Sequence, residues 1–316
     1  MEFRTKIQVS KVSNEITYSS KIALLGSCFS EAISQRLAYH KFKLMSNPHG
    51  IMFSPKAIEK SIVDSVNKNV YTENDLVQNN EIWHSMHHHS SFSALAKEDV
   101  LVKINKEITD ANSFLKETSH LVITLGTAWV YHYINQDELV ANCHKIPQDN
   151  FVKRLLTVDE IKASLTNIKT LIARINPNCT IVFTLSPVRH IKDGFVQNAQ
   201  SKAHLLTAIH KVVAANDNTF YFPSYEIMLD DLRDYRFYNA DMLHPNTVAE
   251  DYIWNKFKNS WFSEETLLIS KKVAKLQADL AHRPFNKNTK SYKEFMANIA
   301  RKKEALAQYG FDVLSW

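Results

Sequence analysis

Runs of apolar residues recur along the first two thirds of the chain and predict buried β-strands. The clearest is HLVITLG at 120–126, and IALLG at 22–26 and CTIVFTLSP at 179–187 have the same character. Shorter runs predict two further strands at 42–45 and 219–223. Because these runs lack polar alternation, they are typical of strands covered on both faces of a parallel sheet.

Segments with apolar residues at helical spacing lie between the predicted strands. The predicted helices cover 29–40, 55–66, 95–117, 157–175 and 195–216, with another that begins at the capping pattern of Thr247 and Glu250. Residues 71–93 are predicted to be irregular, and 128–142 to form a hairpin turned at 135–137. Only helical patterns follow residue 264.

This alternation of strands and helices predicts one fold class, an α/β protein. We expect a flavodoxin-like three-layer α/β/α sandwich around a central parallel five-stranded sheet, with a helical C-terminal extension. The predicted boundaries are 1–262 for the α/β domain and 263–316 for the extension.

Composition narrows the classes of function. The chain has 316 residues and a net charge of only +5, and its basic residues alternate with acidic ones in helical segments, which argues against a nucleic-acid partner. No apolar run reaches the 18 residues or so of a membrane span, and no signal peptide is visible. Three scattered cysteines favour a reducing compartment, and with no signal peptide we expect a cytoplasmic protein. We also expect no membrane partner and no cofactor. The oligomeric state stays open.

Ligands of such sheets bind beyond the carboxyl ends of the strands. The loops at that edge include residues 26–28, 48–50, 126–128 and 186–190, and three of the chain's five glycines fall in them. Farther along, Asp241 and His244 stand three residues apart in a short loop before a helix. A carboxylate at this spacing can fix one imidazole nitrogen and leave the other free to accept a proton from a nucleophile. The alternative is a turn in which Asp241 is only a cap.

The motifs GSCFSEAI, NPHGIMFSP, VITLGTAWVY, NCHK and DMLHPN together resemble the GSCFA domain family, a bacterial group within the SGNH (GDSL-like) hydrolase superfamily. The resemblance covers about residues 20–260. It implies a hydrolase or acyltransferase that acts on an ester or thioester of a small-molecule or otherwise acylated substrate.

The resemblance also implies residue roles. The superfamily places its nucleophile two residues after the first glycine, which is Cys28 here, with Ser27 as the alternative if the register shifts by one. His244 would be the base and Asp241 its orienting carboxylate. The backbone amides of Cys28 and Gly50 would donate to the oxyanion, and Thr127 would stand in for an asparagine that this chain lacks.

Further candidates come from the same motifs and from strand ends. The candidate substrate-binding residues are His49, Gly126, Asn142, His144, Arg189 and His190, of which Arg189 and His190 are placed to meet an anionic group. A structural role in a turn or strand end is the alternative for each. The histidines at 84, 87, 88 and 89 lack a nearby acidic or thiol ligand, so no metal site is predicted.

Three hypotheses about function follow. The first is the Cys/Ser-His-Asp hydrolase or acyltransferase. The second is a non-catalytic ligand-binding module, which the missing asparagine favours. The third is a metal-dependent hydrolase that uses the histidines at 84–89.

Overall fold

A computed structural model describes residues 5–283 and 285–311 of the chain. The strands in the described residues are β1 (Lys21–Gly26), β2 (Lys43–Ser46), β3 (Val77–Asn79), β4 (Ile82–His84), β5 (His120–Leu125), β6 (Trp129–Tyr133), β7 (Glu138–Val140), β8 (Phe151–Leu155), β9 (Thr180–Leu185) and β10 (Thr219–Phe222). Five of them form a parallel sheet in the order β2-β1-β5-β9-β10. This is the flavodoxin-like order, and the predicted five-stranded sheet is confirmed.

Helices cover both faces of this sheet. Their bounds are α1 (Cys28–Tyr39), α2 (Pro55–Asn67), α3 (Lys97–Leu115), α4 (Val158–Ile175), α5 (Phe195–Val213), α6 (Ser224–Glu226), α7 (Thr247–Trp261), α8 (Glu264–Ala281) and α9 (Lys290–Ala307). Alternate residues of each strand point to opposite faces. Ala23 and Leu25 therefore pack into the core beneath α2, α4 and α5, whereas Ile22 and Leu24 pack beneath α1 and α7. The predicted three-layer sandwich is confirmed.

Two parts of the fold differ from the sequence prediction. The segment 71–93 was predicted to be irregular but contains the antiparallel pair β3 and β4. The predicted hairpin of β6 and β7 is present, and β8 adds a third strand that the prediction missed. Both missed pieces lie outside the central sheet and are short, with exposed positions such as Ile82 and Val152, so they lack a continuous apolar run.

The C-terminal helices α8 and α9 pack on each other through a small apolar core that includes Val273 and Leu276. They contact the sandwich at the C-terminal end of α1, where His40 donates to the carbonyl of Ser270 and Gln277 donates to that of Tyr39. Cys28 begins α1 at its opposite end. Residues 284 and 312–316 of the predicted extension, and residues 1–4 of the predicted domain, lie outside the described residues.

Candidate active site

The turn between β1 and α1 sets the position of Ser27 and Cys28. Gly26 has φ +136°, and a Cβ atom there would lie 2.1 Å from the carbonyl oxygen of Thr124 on the neighbouring strand β5. Only glycine tolerates both the backbone conformation and this approach. The Ser27 amide donates to the same carbonyl, and the chain enters α1 at the next residue. Cys28 thus becomes the first residue of a helix at the carboxyl end of a central strand.

Ser27 and Cys28 differ in their surroundings. Ser27 is 1% exposed, and its hydroxyl makes no hydrogen bond, not even the capping bond that a serine at this position usually provides. Cys28 is half-buried with a free thiol. Burial raises the pKa of the Cys28 thiol, while the backbone N–H groups of Phe29 and Cys28 oppose that effect. These amides lie in the first turn of α1, where helix geometry leaves N–H groups without intrahelical partners.

His244 and Asp241 form a hydrogen-bonded pair in the loop before α7. The Asp241 carboxylate accepts from the backbone amides of Leu243 and His244 at 2.9 and 3.0 Å, and its second oxygen lies 2.6 Å from Nδ1 of His244. These bonds, led by the amide of His244, lower the pKa of Asp241 to about 2. With the carboxylate on Nδ1, the neutral imidazole carries its lone pair on Nε2. Nε2 makes no hydrogen bond to any described residue.

One cavity of about 340 Å³ brings most of the predicted site residues together. The predicted residues that line it are Ser27, Cys28, Gly126, Thr127, Arg189, His190 and His244. They come from the carboxyl ends of β1, β5 and β9 and from the loop before α7. Both candidate nucleophiles and the candidate base therefore border one space.

Five predicted site residues are not among the lining residues of this cavity. Asp241 is connected to it through its hydrogen bond to His244, whereas the polar groups of the other four serve the local fold. Gly50 donates its N–H to the carbonyl of Asn47 at 2.7 Å, so the amide predicted to bind an oxyanion closes a turn instead. His49 is 1% exposed and bonds to Ser65. Asn142 accepts from the amide of His144, whose Nε2 donates to the carbonyl of Ser85 at 2.8 Å.

Thr127 lines the cavity, but its polar groups are engaged. Its N–H donates to the carbonyl of Phe53 at 3.1 Å, and its hydroxyl lies 3.2 Å from that of Ser201 and accepts from the amide of Trp129. Gly126 donates to the same Phe53 carbonyl at 2.8 Å. Among the described residues beside Cys28, the Ser27 hydroxyl and the amides at the start of α1 remain available to an oxyanion.

The family model of the GSCFA family matches residues 21–257, and that of the GSCFA domain protein C-terminal domain matches residues 273–313. This chain belongs to the GSCFA family. The family predicted from the motifs is thereby confirmed. No curated protein matches the sequence.

Among solved structures, the GSCFA chain is similar to carbohydrate esterases at low identity. A family 3 carbohydrate esterase of Clostridium thermocellum is 10% identical over 81% of this chain and 98% of its own, with a TM-score of 0.35. A family 3 enzyme from Talaromyces cellulolyticus is 11% identical over 80% of this chain and 99% of its own, at 0.37. An acetyl xylan esterase from Butyrivibrio proteoclasticus is 12% identical over 78% of this chain and 66% of its own, with a TM-score of 0.39. At these low identities and TM-scores, the similar structures assign no reaction to this chain.

Lys202 adjoins this cavity of the GSCFA chain and is not among the residues predicted from the sequence. It is 2% exposed, and its ammonium donates to the carbonyl of Ser186, a lining residue of the cavity, at 2.7 Å. No carboxylate of the described residues pairs with it. Burial, with repulsion from Arg189, lowers the pKa of Lys202 to about 7, and Cys28 is the group whose negative charge favours the ammonium.

A signal for Lys202 was present in the sequence. The buried positions of α5 recur at helical spacing, namely Asn198, Ser201, Lys202, Leu205, Ala208, Ile209 and Val212. A lysine within such a stripe is rare unless a specific partner stabilises it. A charge on the buried face of a predicted helix therefore indicates a site residue.

The histidines at 84–89 do not form a metal centre in the GSCFA chain. In the described residues, no group of three histidine, cysteine, aspartate or glutamate side chains is arranged to hold a metal ion. Instead His84 bonds to Ser93, His87 to Glu138 and His88 to Ser85. The third hypothesis of the sequence analysis therefore has no ligand set among the described residues.

Within the described residues, no helix combines the length and apolar character that a bilayer crossing requires.

Proposed function

We propose that this GSCFA protein is a hydrolase or acyltransferase that forms a thioester with its substrate's acyl group at Cys28. The observation that carries the proposal is the shared cavity, in which the Cys28 thiol and a His244 oriented by Asp241 border the same space. A cysteine is a sufficient nucleophile for acyl transfer when a base is at hand and the thiolate is stabilised.

In the proposed reaction, Nε2 of His244 accepts the Cys28 proton as the sulfur attacks the acyl carbon. The electron pair of the carbonyl moves to its oxygen, and the tetrahedral oxyanion accepts hydrogen bonds from the first-turn amides of α1 and from the Ser27 hydroxyl. The intermediate then collapses: the bond to the leaving oxygen or sulfur breaks, and His244 returns its proton to that atom. A water or an acceptor alcohol releases the acyl group by the reverse sequence.

In the proposed site, the buried ammonium of Lys202 supplies a positive charge that stabilises the Cys28 thiolate. Loss of the thiol proton leaves an anion at Cys28, and a buried cation without a carboxylate partner is stabilised by such an anion. The helix start acts in the same direction, because its N–H groups point to the sulfur.

Ser27 is the alternative nucleophile, and its surroundings favour the role of hydrogen-bond donor. Its hydroxyl is 1% exposed and unpartnered, whereas the Cys28 thiol is half-buried at the helix start. A hydroxyl also needs a base within reach to become nucleophilic, while a thiol is acidic enough to ionise beside a cation.

The experiment is to trap the acyl-enzyme. Purified protein is incubated with activated acetyl esters and thioesters, quenched in acid, digested, and the peptide from Ile22 to Arg36 is sequenced by mass spectrometry. We expect an acetyl group on Cys28 that is lost in Cys28→Ala and retained in Ser27→Ala. An adduct on Ser27 would assign the hydroxyl as nucleophile.

The non-catalytic binding module is the second candidate, and one observation favours it. Two of the predicted oxyanion donors, the amides of Gly50 and Thr127, already bond to the carbonyls of Asn47 and Phe53. Wild-type turnover of an acyl ester that disappears in His244→Ala excludes this candidate. A protein with neither adduct nor turnover, yet with saturable binding of an ester, establishes it.

A further inference from the structure

The guanidinium of Arg189 is unpaired in the described part of the chain. The Arg189 backbone amide donates to the carbonyl of Leu243 at 3.1 Å, which holds the residue beside His244. Its side chain is half-buried and makes no hydrogen bond or ion pair with another described residue. By contrast Arg233, on the wall of the neighbouring cavity, pairs with Asp230 at 2.9 Å, and Arg236 pairs with Asp234 at the same distance.

The charges around Arg189 are positive and uncompensated. Arg189 and Lys192 line the cavity of Cys28, and no aspartate or glutamate among the described residues lines it. Three carboxylates in this region are engaged elsewhere: Asp193 pairs with Lys153, Asp234 with Arg236, and Asp241 with His244. Lys202 lies behind the cavity wall and repels Arg189. An anion between such cations is stabilised by both their charge and the partly dehydrated surroundings.

Arg189 stands where two cavities meet. A second cavity of about 700 Å³ shares Arg189, Ile191 and Leu243 with the first, and Asp241 lies on its wall. In the proposed reaction the leaving group takes its proton from His244, so it departs on the His244 side of the acyl carbon. Arg189, tied to Leu243, is on that same side.

We infer that the leaving group of the substrate carries an anionic group, a phosphate or a carboxylate, which Arg189 binds beside His244. This inference rests on the proposed acyl transfer and adds the chemical class of its substrate. The rest of the leaving group extends into the larger cavity, whose walls include Phe195, Tyr235 and Tyr238.

The test compares two acetyl thioesters that differ by one charge, those of 3-mercaptopropionate and 3-mercaptopropionamide. We expect wild-type kcat/KM to be at least about tenfold higher for the carboxylate, mainly through KM. Arg189→Met is expected to reduce this ratio to about one, with Arg189→Lys intermediate because it keeps the charge without the planar fork. Arg236→Met, which removes an exposed arginine outside both cavities, keeps the wild-type ratio. Equal kcat/KM values in the wild type, or a preference that survives in Arg189→Met, would overturn the inference.

A second measurement separates this inference from the proposed function. Inorganic phosphate and, separately, acetate are tested for slowing the alkylation of Cys28 by iodoacetamide, with ionic strength held constant by sodium chloride. Protection by either anion is expected in the wild type and not in Arg189→Met, and the stronger protector identifies the anion class. If the wild type turns over neither thioester, the proposed function fails, yet phosphate or acetate protection that depends on Arg189 still supports an anion site. No protection by either anion, or protection that persists in Arg189→Met, contradicts the site.

Discussion

His244 and a group of three buried histidines in this molecule have opposite surroundings. At the mouth of the cavity, 46% of the His244 side chain is exposed, one ring nitrogen is held by Asp241 and the other is free. In and around the 84–89 segment, His49, His88 and His144 are 1%, 1% and 6% exposed, and burial lowers their pKa values to about 4, 2 and 4. We call these three the inner histidines.

The comparison shows what a histidine needs to act as a base. The inner histidines are more numerous, but burial keeps them neutral and takes them away from substrate. His88 stacks on His49 with ring centroids 4.9 Å apart and contacts Tyr71 and Phe92, so it fills space in the core. His244 combines a fixed tautomer with an open nitrogen on a cavity. Exposure and orientation, not the number of imidazoles, distinguish the two groups.

The largest expected effect comes from removing the exposed imidazole. His244→Ala is expected to lower turnover about 10²–10⁴-fold, the range for a general acid–base group, while thermal stability changes little because the side chain is exposed. His132→Ala is the matched control, because His132 also pairs with an exposed aspartate, Asp137 at 3.1 Å, away from the cavity. Initial rates and melting curves of both variants check the prediction. An equal loss of turnover in His244→Ala and His132→Ala would contradict the role of His244 as the base.

An inner histidine is expected to affect stability instead. His88→Ala leaves a cavity among its ring contacts and is expected to lower the free energy of unfolding by about 2–4 kcal/mol, with unchanged turnover per folded molecule. His88→Phe keeps the ring volume and is expected to recover much of the loss. Because the pKa of His88 is lower in the folded chain, the wild type loses stability as the pH falls below about 6.5, and His88→Phe loses less. Urea unfolding at pH 7 and pH 5 measures both effects.

Removal of the Lys202 charge is expected to have a smaller effect, on the reactivity of the Cys28 thiol. Lys202→Met removes a positive charge that lowers the pKa of the Cys28 thiol, so we expect this pKa to rise, measured from the pH dependence of iodoacetamide alkylation. The other groups that act on this thiol are Glu31 on its own helix and the first-turn amides, which the variant leaves in place. Lys202→Arg keeps the charge and is the control for lost volume. An unchanged alkylation profile in Lys202→Met would remove Lys202 from the proposed site.

Lys202→Met is expected to make the thiol less reactive but the fold more stable. The folded-state pKa of Lys202 is about 7, below the ordinary value of 10.5, so the charged form destabilises the fold below pH 7 and this cost fades as the pH rises toward 10.5. Lys202→Met is therefore expected to be more stable than the wild type by roughly 2–4 kcal/mol at pH 6, with a smaller advantage at pH 10. Such a trade between stability and activity is typical of functional groups.

The smallest effect is expected from the carboxylate that orients His244. Asp241→Asn keeps hydrogen-bonding atoms but loses the charge, and we expect turnover to fall by about one order of magnitude because the pair is exposed and screened. The folded-state pKa of Asp241 is about 2. Its ionised form therefore stabilises the loop above about pH 4 and ceases to do so as the pH falls toward 2, so the difference in melting temperature between wild type and variant should vanish there. A difference that persists at pH 2 would point to another cause.

The sequence predicted the central sheet well because its three inner strands, β1, β5 and β9, are buried on both faces. Apolar runs at 22–26 and 120–126 correspond to Lys21–Gly26 and His120–Leu125 in the structure. The strands β3, β4 and β8 carry no such run, and the prediction missed them. Residues at the carboxyl ends of neighbouring strands were also predicted to converge, and Cys28, Arg189 and His190 do line one cavity with His244.

The details of the site were less accessible from the sequence. The motif around Gly50 gave no sign that its amide would bond to Asn47, because that depends on how the turn closes. Lys202 was missed because its relation to Cys28 requires α5 and α1 to pack on opposite faces of one sheet edge. Hydrogen-bond partners and burial are set by contacts between distant segments.

The layered α/β architecture, and the edge of the sheet at which chemistry is expected, could both be predicted from the amino-acid sequence. Strand burial and helical periodicity are local patterns, so they can be recognised one segment at a time. Which polar groups remain free at that edge, among them the open nitrogen of His244 and the Arg189 guanidinium, became apparent only from the folded chain. A polar group stays available only when no neighbour satisfies it, and its neighbours are set by packing across the whole fold.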